Sequence, residues 1–407
     1  MSETANMSVS ISSERFHDLD AVRAGALLLG VALHTSMSFL EPQVWLIKDA
    51  SSSAGLGVLF YVIHMFRMMT FFVMAGFFAH LLMDKRGLGG FITNRLIRVG
   101  APLVAFWPIV FAAIIVVMII AFAPPPGAPS VPAAPPPPLM AKTFPLTHLW
   151  FLYALLWLYG GAVVLKVLTD MLHIGKGLGR MFDAIVGFLT RTDLIGAVLI
   201  LPAFAALYAN PAWLIWFGIP TPDAGVVINT PALAGFSTAF AFGWFLHRSP
   251  DLLGHLAKRW WAYLPAAAIG TIVCLNMVGI MPVITPAVGS EHPLYLALYL
   301  LTGWSWTLGL IGAAHACLKR ENPVLRYLSD ASYWIYILHI PVVMGLQLAI
   351  RDMAGPAELK FAGILLVTVM IGLLSYQIMV RYTFIGAILN GRRRRTKRTS
   401  DGQEVTA

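Results

Sequence analysis

The sequence predicts an all-α integral membrane protein with about ten transmembrane helices. Three observations carry that expectation. Of 407 residues, 58% are hydrophobic and only 12% are charged, whereas soluble domains carry about a quarter charged residues; mean hydropathy is +0.76. Apolar stretches close to the ~20 residues needed to cross a bilayer recur along the chain. Lys and Arg alternate between loops: 23 of the 28 fall on one side, four on the other (Lys48, Lys142, Arg351, Lys360), and Arg67 alone lies inside an apolar stretch. The positive-inside rule makes the Lys/Arg-rich side cytoplasmic, and an even number of spans puts both termini there.

Residues 1–20 form a polar cytoplasmic segment without the apolar core and cleavage site of a signal peptide. The transmembrane domain is expected over 21–385, with spans at 21–41, 56–82, 97–123, 148–169, 194–210, 231–247, 261–281, 294–317, 331–350 and 360–385. The fifth is the weakest, being short and containing Pro202. Between spans three and four, the outer loop 123–145 is so rich in proline that it favours a stiff polyproline II tether. The loop after span four contains HIGKGLGRMFDAI, a candidate amphipathic surface helix in which GKGLG reads as a turn. Ser329 and Asp330 are placed to cap span nine. The tail 386–407 carries GRRRRTKR, a stop-transfer anchor expected to touch anionic membrane lipids.

These features exclude several classes. The net charge of +9 sits beside membrane spans, so nucleic acid is not the expected partner. Two cysteines, Cys274 within span seven and Cys317 at the end of span eight, do not suggest a disulfide, and no Cys/His spacing suggests zinc or haem. No metal and no resident cofactor is expected. The inverted repeats of many transporters are missing.

Ionisable groups inside spans are costly and therefore informative. Arg23 and His34 are eleven residues apart in LDAVRAGALLLGVALH, about three turns, so they share one helix face roughly 16 Å apart. Asp20 is placed to pair with Arg23. Arg23 can serve as a snorkelling helix end or as an anion guide. His34 can serve as an interhelical hydrogen bond or as a general base, the role its usual pKa suits. His64 and Arg67 share a face of span two, with no acidic residue in that span to pair with the arginine; either an anionic substrate group or a structural acceptor answers its charge. His148 opens span four beside Trp150, which an interfacial aromatic belt would explain. His339, in span nine, is open to both packing and binding. Arg95 and Arg98 share a face in NRLIRVGAP, as anchors or as a phosphate clamp.

Together these motifs resemble the membrane-bound acyltransferase-3 family over nearly the full chain, within it a subgroup that succinylates osmoregulated periplasmic glucans. The likeness rests on Arg23 and His34 with ten residues between them, on Arg-x-x-Arg at Arg95 and Arg98, on IHMFRMMTFFVMAGFFA with His64 and Arg67, on HLWFL from His148 to Leu152, and on ASYWIYILHIP with His339. Ile340 stands where the subgroup can carry a second histidine, and the proline-rich loop is not a family feature.

The resemblance implies a membrane-bound O-acyltransferase of the bacterial inner membrane. Its co-substrate would be a cytosolic acyl-CoA, succinyl-CoA by subgroup, and its acceptor a glucan or other glycan on the periplasmic side. On that expectation Arg95 and Arg98 would hold the coenzyme A phosphates, Arg23, oriented by Asp20, would guide the donor or stabilise its charge, and His34 would act as the base or carry the acyl group briefly. Arg67 with His64 would neutralise the oxyanion or a distal succinyl carboxylate, with His148, Trp150 and His339 supporting the acceptor. Two other readings share these residues: O-acetyl transfer to another surface polysaccharide, and a transporter or flippase lined by the same charges. A purely structural scaffold does not account for so many ionisable groups within spans.

Overall fold

The computed structural model describes residues 16–123 and 140–391, together with the backbone of 396–398 and 404–406. The helices are α1 (His17–Ser36), α2 (Ala54–Arg95), α3 (Ala101–Ala121), α4 (Trp150–Met171), α5 (Gly175–Arg191), α6 (Ile195–Leu199), α7 (Leu201–Tyr208), α8 (Thr230–Arg248), α9 (Asp251–Val278), α10 (Pro293–Cys317), α11 (Pro323–Ile350), α12 (Ala357–Ser375) and α13 (Phe384–Asn390). In the tail, the backbone of Thr396–Arg398 pairs antiparallel with Glu404–Thr406.

Among the described residues, seven helical runs are long and apolar enough to cross a membrane. One of them, Ala54–Ala121, contains two of the ten expected spans. A π-helical turn at Leu96–Gly100 joins α2 to α3, and the backbone breaks at Gly87. Gly87 has φ 64°, a left-handed conformation that a side chain would resist, so glycine permits the break between the two arms. The fifth expected span is two short helices, α6 and α7, with Pro202 in the first turn of the second. A proline there costs no helical hydrogen bond.

Two local expectations are corrected. GKGLG is not a turn; it winds into the start of α5, because the apolar side chains Met181, Phe182, Ile185 and Phe188 gather on one exposed stripe that rewards a helix. Ser329 and Asp330 do not cap span nine. Asn322 does so about two turns earlier, accepting from the amides of Val324 and Leu325, with Pro323 in the first turn. Most of the proline-rich loop, the first fifteen residues and the tail's four consecutive arginines lie outside the described residues.

α1 packs against α2, α10, α11 and α12, which places it inside the bundle. α2 crosses α8 at very short range: a Cβ at Gly76 would meet the Phe240 carbonyl oxygen at 1.9 Å, and one at Gly243 would meet that of Val73 at 1.9 Å. Small residues at helix crossings are how bundles pack closely in lipid. The crossing holds the middle of α2, nine residues beyond Arg67, tightly against α8.

Candidate functional site

Four helical segments aim polar side chains at one cavity. α1 supplies His34, α2 supplies Arg67, the turn before α4 supplies His148, and α11 supplies Tyr336 and His339. Apolar walls come from Leu27, Met68, Phe71, Trp150 and Phe151 among others. The cavity is about 30 Å³, room for roughly two waters. Among the described residues, no carboxylate lines it.

The three imidazoles stand side by side. His339 lies between the others, its ring centre 5.2 Å from that of His34 and 4.9 Å from that of His148. Backbone carbonyls fix two of the tautomers, because a carbonyl oxygen can only accept. His339 donates Nδ1–H to the Tyr336 carbonyl at 2.7 Å, leaving the lone pair on a buried Nε2 with no partner. His148 donates Nε2–H to the Ile337 carbonyl at 3.2 Å, leaving the lone pair on a buried, unpartnered Nδ1. The Ile337 carbonyl is free for a definite reason: Pro341, four residues on, has no N–H to return to it. Tyr336 donates its hydroxyl to the His148 carbonyl at 2.7 Å and so fixes the turn that carries this histidine.

His34 carries a buried, unpartnered Nδ1. Its backbone is held at the end of α1 by Gln347, whose amide donates to the carbonyls of His34 and Thr35 at 3.1 and 3.2 Å and accepts from Trp45 Nε1 at 2.9 Å. The Trp45 ring lies 5.5 Å from the His34 ring.

Arg67 has a buried Nε without a partner, and its guanidinium presses against the backbone of α1 at Gly30. An isolated charge in a bundle interior costs several kcal/mol unless an anion or strong acceptors reach it. The cavity therefore combines a fixed cation, two oriented lone pairs and a third imidazole. That set can stabilise an oxyanion while a hydroxyl loses its proton. Among the described residues, no group of three or more His, Cys, Asp or Glu converges as metal ligands do.

A profile of acyltransferase domains matches residues 16–380. The chain belongs to the acyltransferase-3 family. It is similar to glucans biosynthesis protein C of Escherichia coli K12, 33% identical over 100 residues, and to the same-named protein of Shigella boydii serotype 4, at 32%. Those alignments cover 25% of this chain and 26% of the relatives, so the matched stretch spans about a quarter of either. No solved structure matches. With its long apolar helices, this acyltransferase-3 chain is a multi-pass membrane protein.

Within the acyltransferase domain, the residues singled out from sequence fall into three places. His34, Arg67, His148, Trp150 and His339 meet at the cavity. Trp150 is only 6% exposed and stacks near Phe236, 5.7 Å between ring centres, so it belongs to the core and not to an interfacial belt. His148 is likewise buried and not at the surface.

Arg23, Arg95 and Arg98 gather elsewhere, toward the start of α1. Asp20 pairs with Arg23 at 3.0 Å as its spacing predicts. Arg23 lies over the Phe78 ring at 5.2 Å, while Arg95 donates to the Phe78 carbonyl at 3.1 Å and sits 4.7 Å from the Tyr159 ring centre. The Arg98 carbonyl accepts from the Tyr333 hydroxyl at 2.8 Å. Tyr333 in turn stacks on Tyr336, with ring centres 6.4 Å apart. One turn of α11 thus links the arginine cluster to the cavity.

His64 lies outside the lining of the main cavity, though within electrostatic reach of Arg67 and His34. It stacks on Phe60 with ring centres 5.3 Å apart and lines a second, smaller cavity. Expected beside Arg67, it diverges from it because three residues along a helix leave about 60° between side chains. Sequence reasoning missed Tyr336, Gly30, Gln347 and Pro341; of these only Pro341, two residues after His339, left a visible signal.

Proposed function

We propose that this membrane acyltransferase moves a succinyl group from succinyl-CoA, supplied at the cytosolic side, to hydroxyls of a periplasmic glucan across the bacterial inner membrane. The observation that carries the reading is Arg67 facing three imidazoles in a buried cavity without a carboxylate. A transferase for a thioester and an alcohol needs a cation for the oxyanion and a base for the hydroxyl. The name of the similar proteins, glucans biosynthesis protein C, supports a glucan acceptor.

In this reading the arginine cluster of Arg23, Arg95 and Arg98 receives the coenzyme A phosphates, to which guanidinium forks are matched. The thioester carbonyl reaches the cavity with its oxygen at Arg67. His148 Nδ1 and His339 Nε2 accept hydrogen bonds from acceptor hydroxyls. His34 takes the proton as the hydroxyl oxygen bonds to the carbonyl carbon. The tetrahedral intermediate then collapses, the C–S bond breaks, and the thiolate recovers a proton as free coenzyme A. O-acetyl transfer to another polysaccharide would use the same machinery; the uncompensated Arg67 favours an acyl group that is itself anionic.

The test is turnover by the purified protein in nanodiscs with succinyl-CoA and neutral glucan. Release of the coenzyme A thiol together with succinylated glucan is expected. Intact donor and unmodified glucan would overturn the reading and return the transporter alternative to the front.

A further inference from the structure

The second cavity has no part in the scheme above. It is lined by Met65, Met68, Met69, Ile219, Phe236, Tyr299, Thr221 and His64, and measures about 10 Å³. It shares one wall with the reaction cavity, the side chain of Met68, which lines both. The linings differ in kind. The first presents three imidazoles and a guanidinium, whereas the second is thioether and hydrocarbon with a few polar groups, among them His64, faced by the backbone of Phe217 and Ile219.

We propose that this second cavity is the acyl-end pocket, receiving the end of the acyl chain remote from the thioester, and that Met68 is the partition that sets the chain length. The proposal rests on the acyl-transfer reading of the neighbouring site. Size ranks the alternatives: the void holds about one water, so any occupant must displace the methionines, and a sugar ring or the pantetheine arm would displace far more than a short acyl end does. A short chain of a few heavy atoms is the remaining part of either substrate. Thioethers are unbranched and yield readily, so Met65, Met68 and Met69 can turn aside for such a chain and close behind it. His64, whose ring faces the backbone of Phe217 and Ile219 and lies within electrostatic reach of the Arg67 charge, gives the pocket a polar end beside a cation for a carboxyl group, which a purely apolar pocket would reject. The preferred donor is thus a short dicarboxylic monoacyl thioester.

The experiment presents acetyl-, succinyl- and glutaryl-CoA in competition to the purified protein in nanodiscs with glucan, and reads the product ratio by mass. A ratio does not depend on how much protein is folded. Met68→Ala joins the two cavities and is expected to raise glutaryl over succinyl transfer by about tenfold, the usual reach of one methylene in an apolar pocket. Met68→Phe should shift transfer toward acetyl, and Met68→Leu should leave the ratio near wild type. His64→Gln should lower succinyl relative to acetyl transfer. Unchanged ratios in Met68→Ala and Met68→Phe overturn the pocket while leaving acyl transfer standing. A wild-type protein that consumes no donor overturns the acyl-transfer reading instead, and the pocket with it.

Discussion

The guanidinium of Arg67 on α2 occupies the space that a side chain at Gly30 on α1 would fill: a Cβ there would lie 2.3 Å from Arg67 Nη1. The colliding atom is the tip of a flexible side chain, so a methyl group would push the charge aside before it pushed the helices apart. Gly30→Ala is therefore expected to fold and insert normally yet lose most of its activity. Comparing thermal stability with succinyl transfer separates the two effects; equal losses in both would show that Gly30 serves packing alone.

Arg67→Lys keeps the charge but not the planar fork. Removing a donor from an oxyanion site costs about 10²–10³ in kcat. A loss of that order, with little change in KM for the donor, is expected. Full activity would mean that a point charge suffices.

His34→Ala removes the proposed base. The contribution of a positioned base is about 10²–10⁴, and coenzyme A release by the inserted variant should fall by that range. Near wild-type turnover would move the base to His339 or His148.

Pro341 acts at one remove. Pro341→Ala restores a backbone N–H that competes with His148 for the Ile337 carbonyl. Loss of one hydrogen bond is worth about 1 kcal/mol, so turnover should drop severalfold while the helix becomes more regular. The same drop in a Pro341→Ala, His148→Ala double variant as in His148→Ala alone would show that the proline works through the histidine.

A last prediction concerns stability. In the loop between α5 and α6, burial alone would raise the Asp193 carboxyl, but hydrogen bonds from Arg259, Tyr263 and His255 on α9 hold it below its usual value of 3.8. A carboxyl depressed in the folded state stabilises above its unfolded pKa, and the effect fades as pH falls through the lower folded value. Asp193→Asn should cost about 1 kcal/mol at neutral pH, the upper range for such exposed pairs. The melting difference from wild type should close as pH falls through and below the lowered folded value of this carboxyl; a difference that persists in strong acid would assign it to packing.

Much of this was legible in the chain. Hydropathy placed a helical element at each expected span, because lipid demands long apolar runs whatever their neighbours. Eleven-residue spacing put Arg23 and His34 on one stripe, and i,i+3 spacing paired Asp20 with Arg23. What stayed hidden was convergence between helices. His148, His339 and Tyr336 belong to segments nearly 190 residues apart, and no periodicity within either reports the other. His64 misled for the same reason: closeness to Arg67 along the helix did not say which of two voids each would face. Gly30 and Gln347 were invisible because their roles lie in what they leave room for and what backbone they hold.

The narrowness of the main chamber limits what can enter it. With room for only about two waters, it admits a single hydroxyl and the carbonyl that hydroxyl would attack, and the rest of any sugar acceptor has to stay outside its walls.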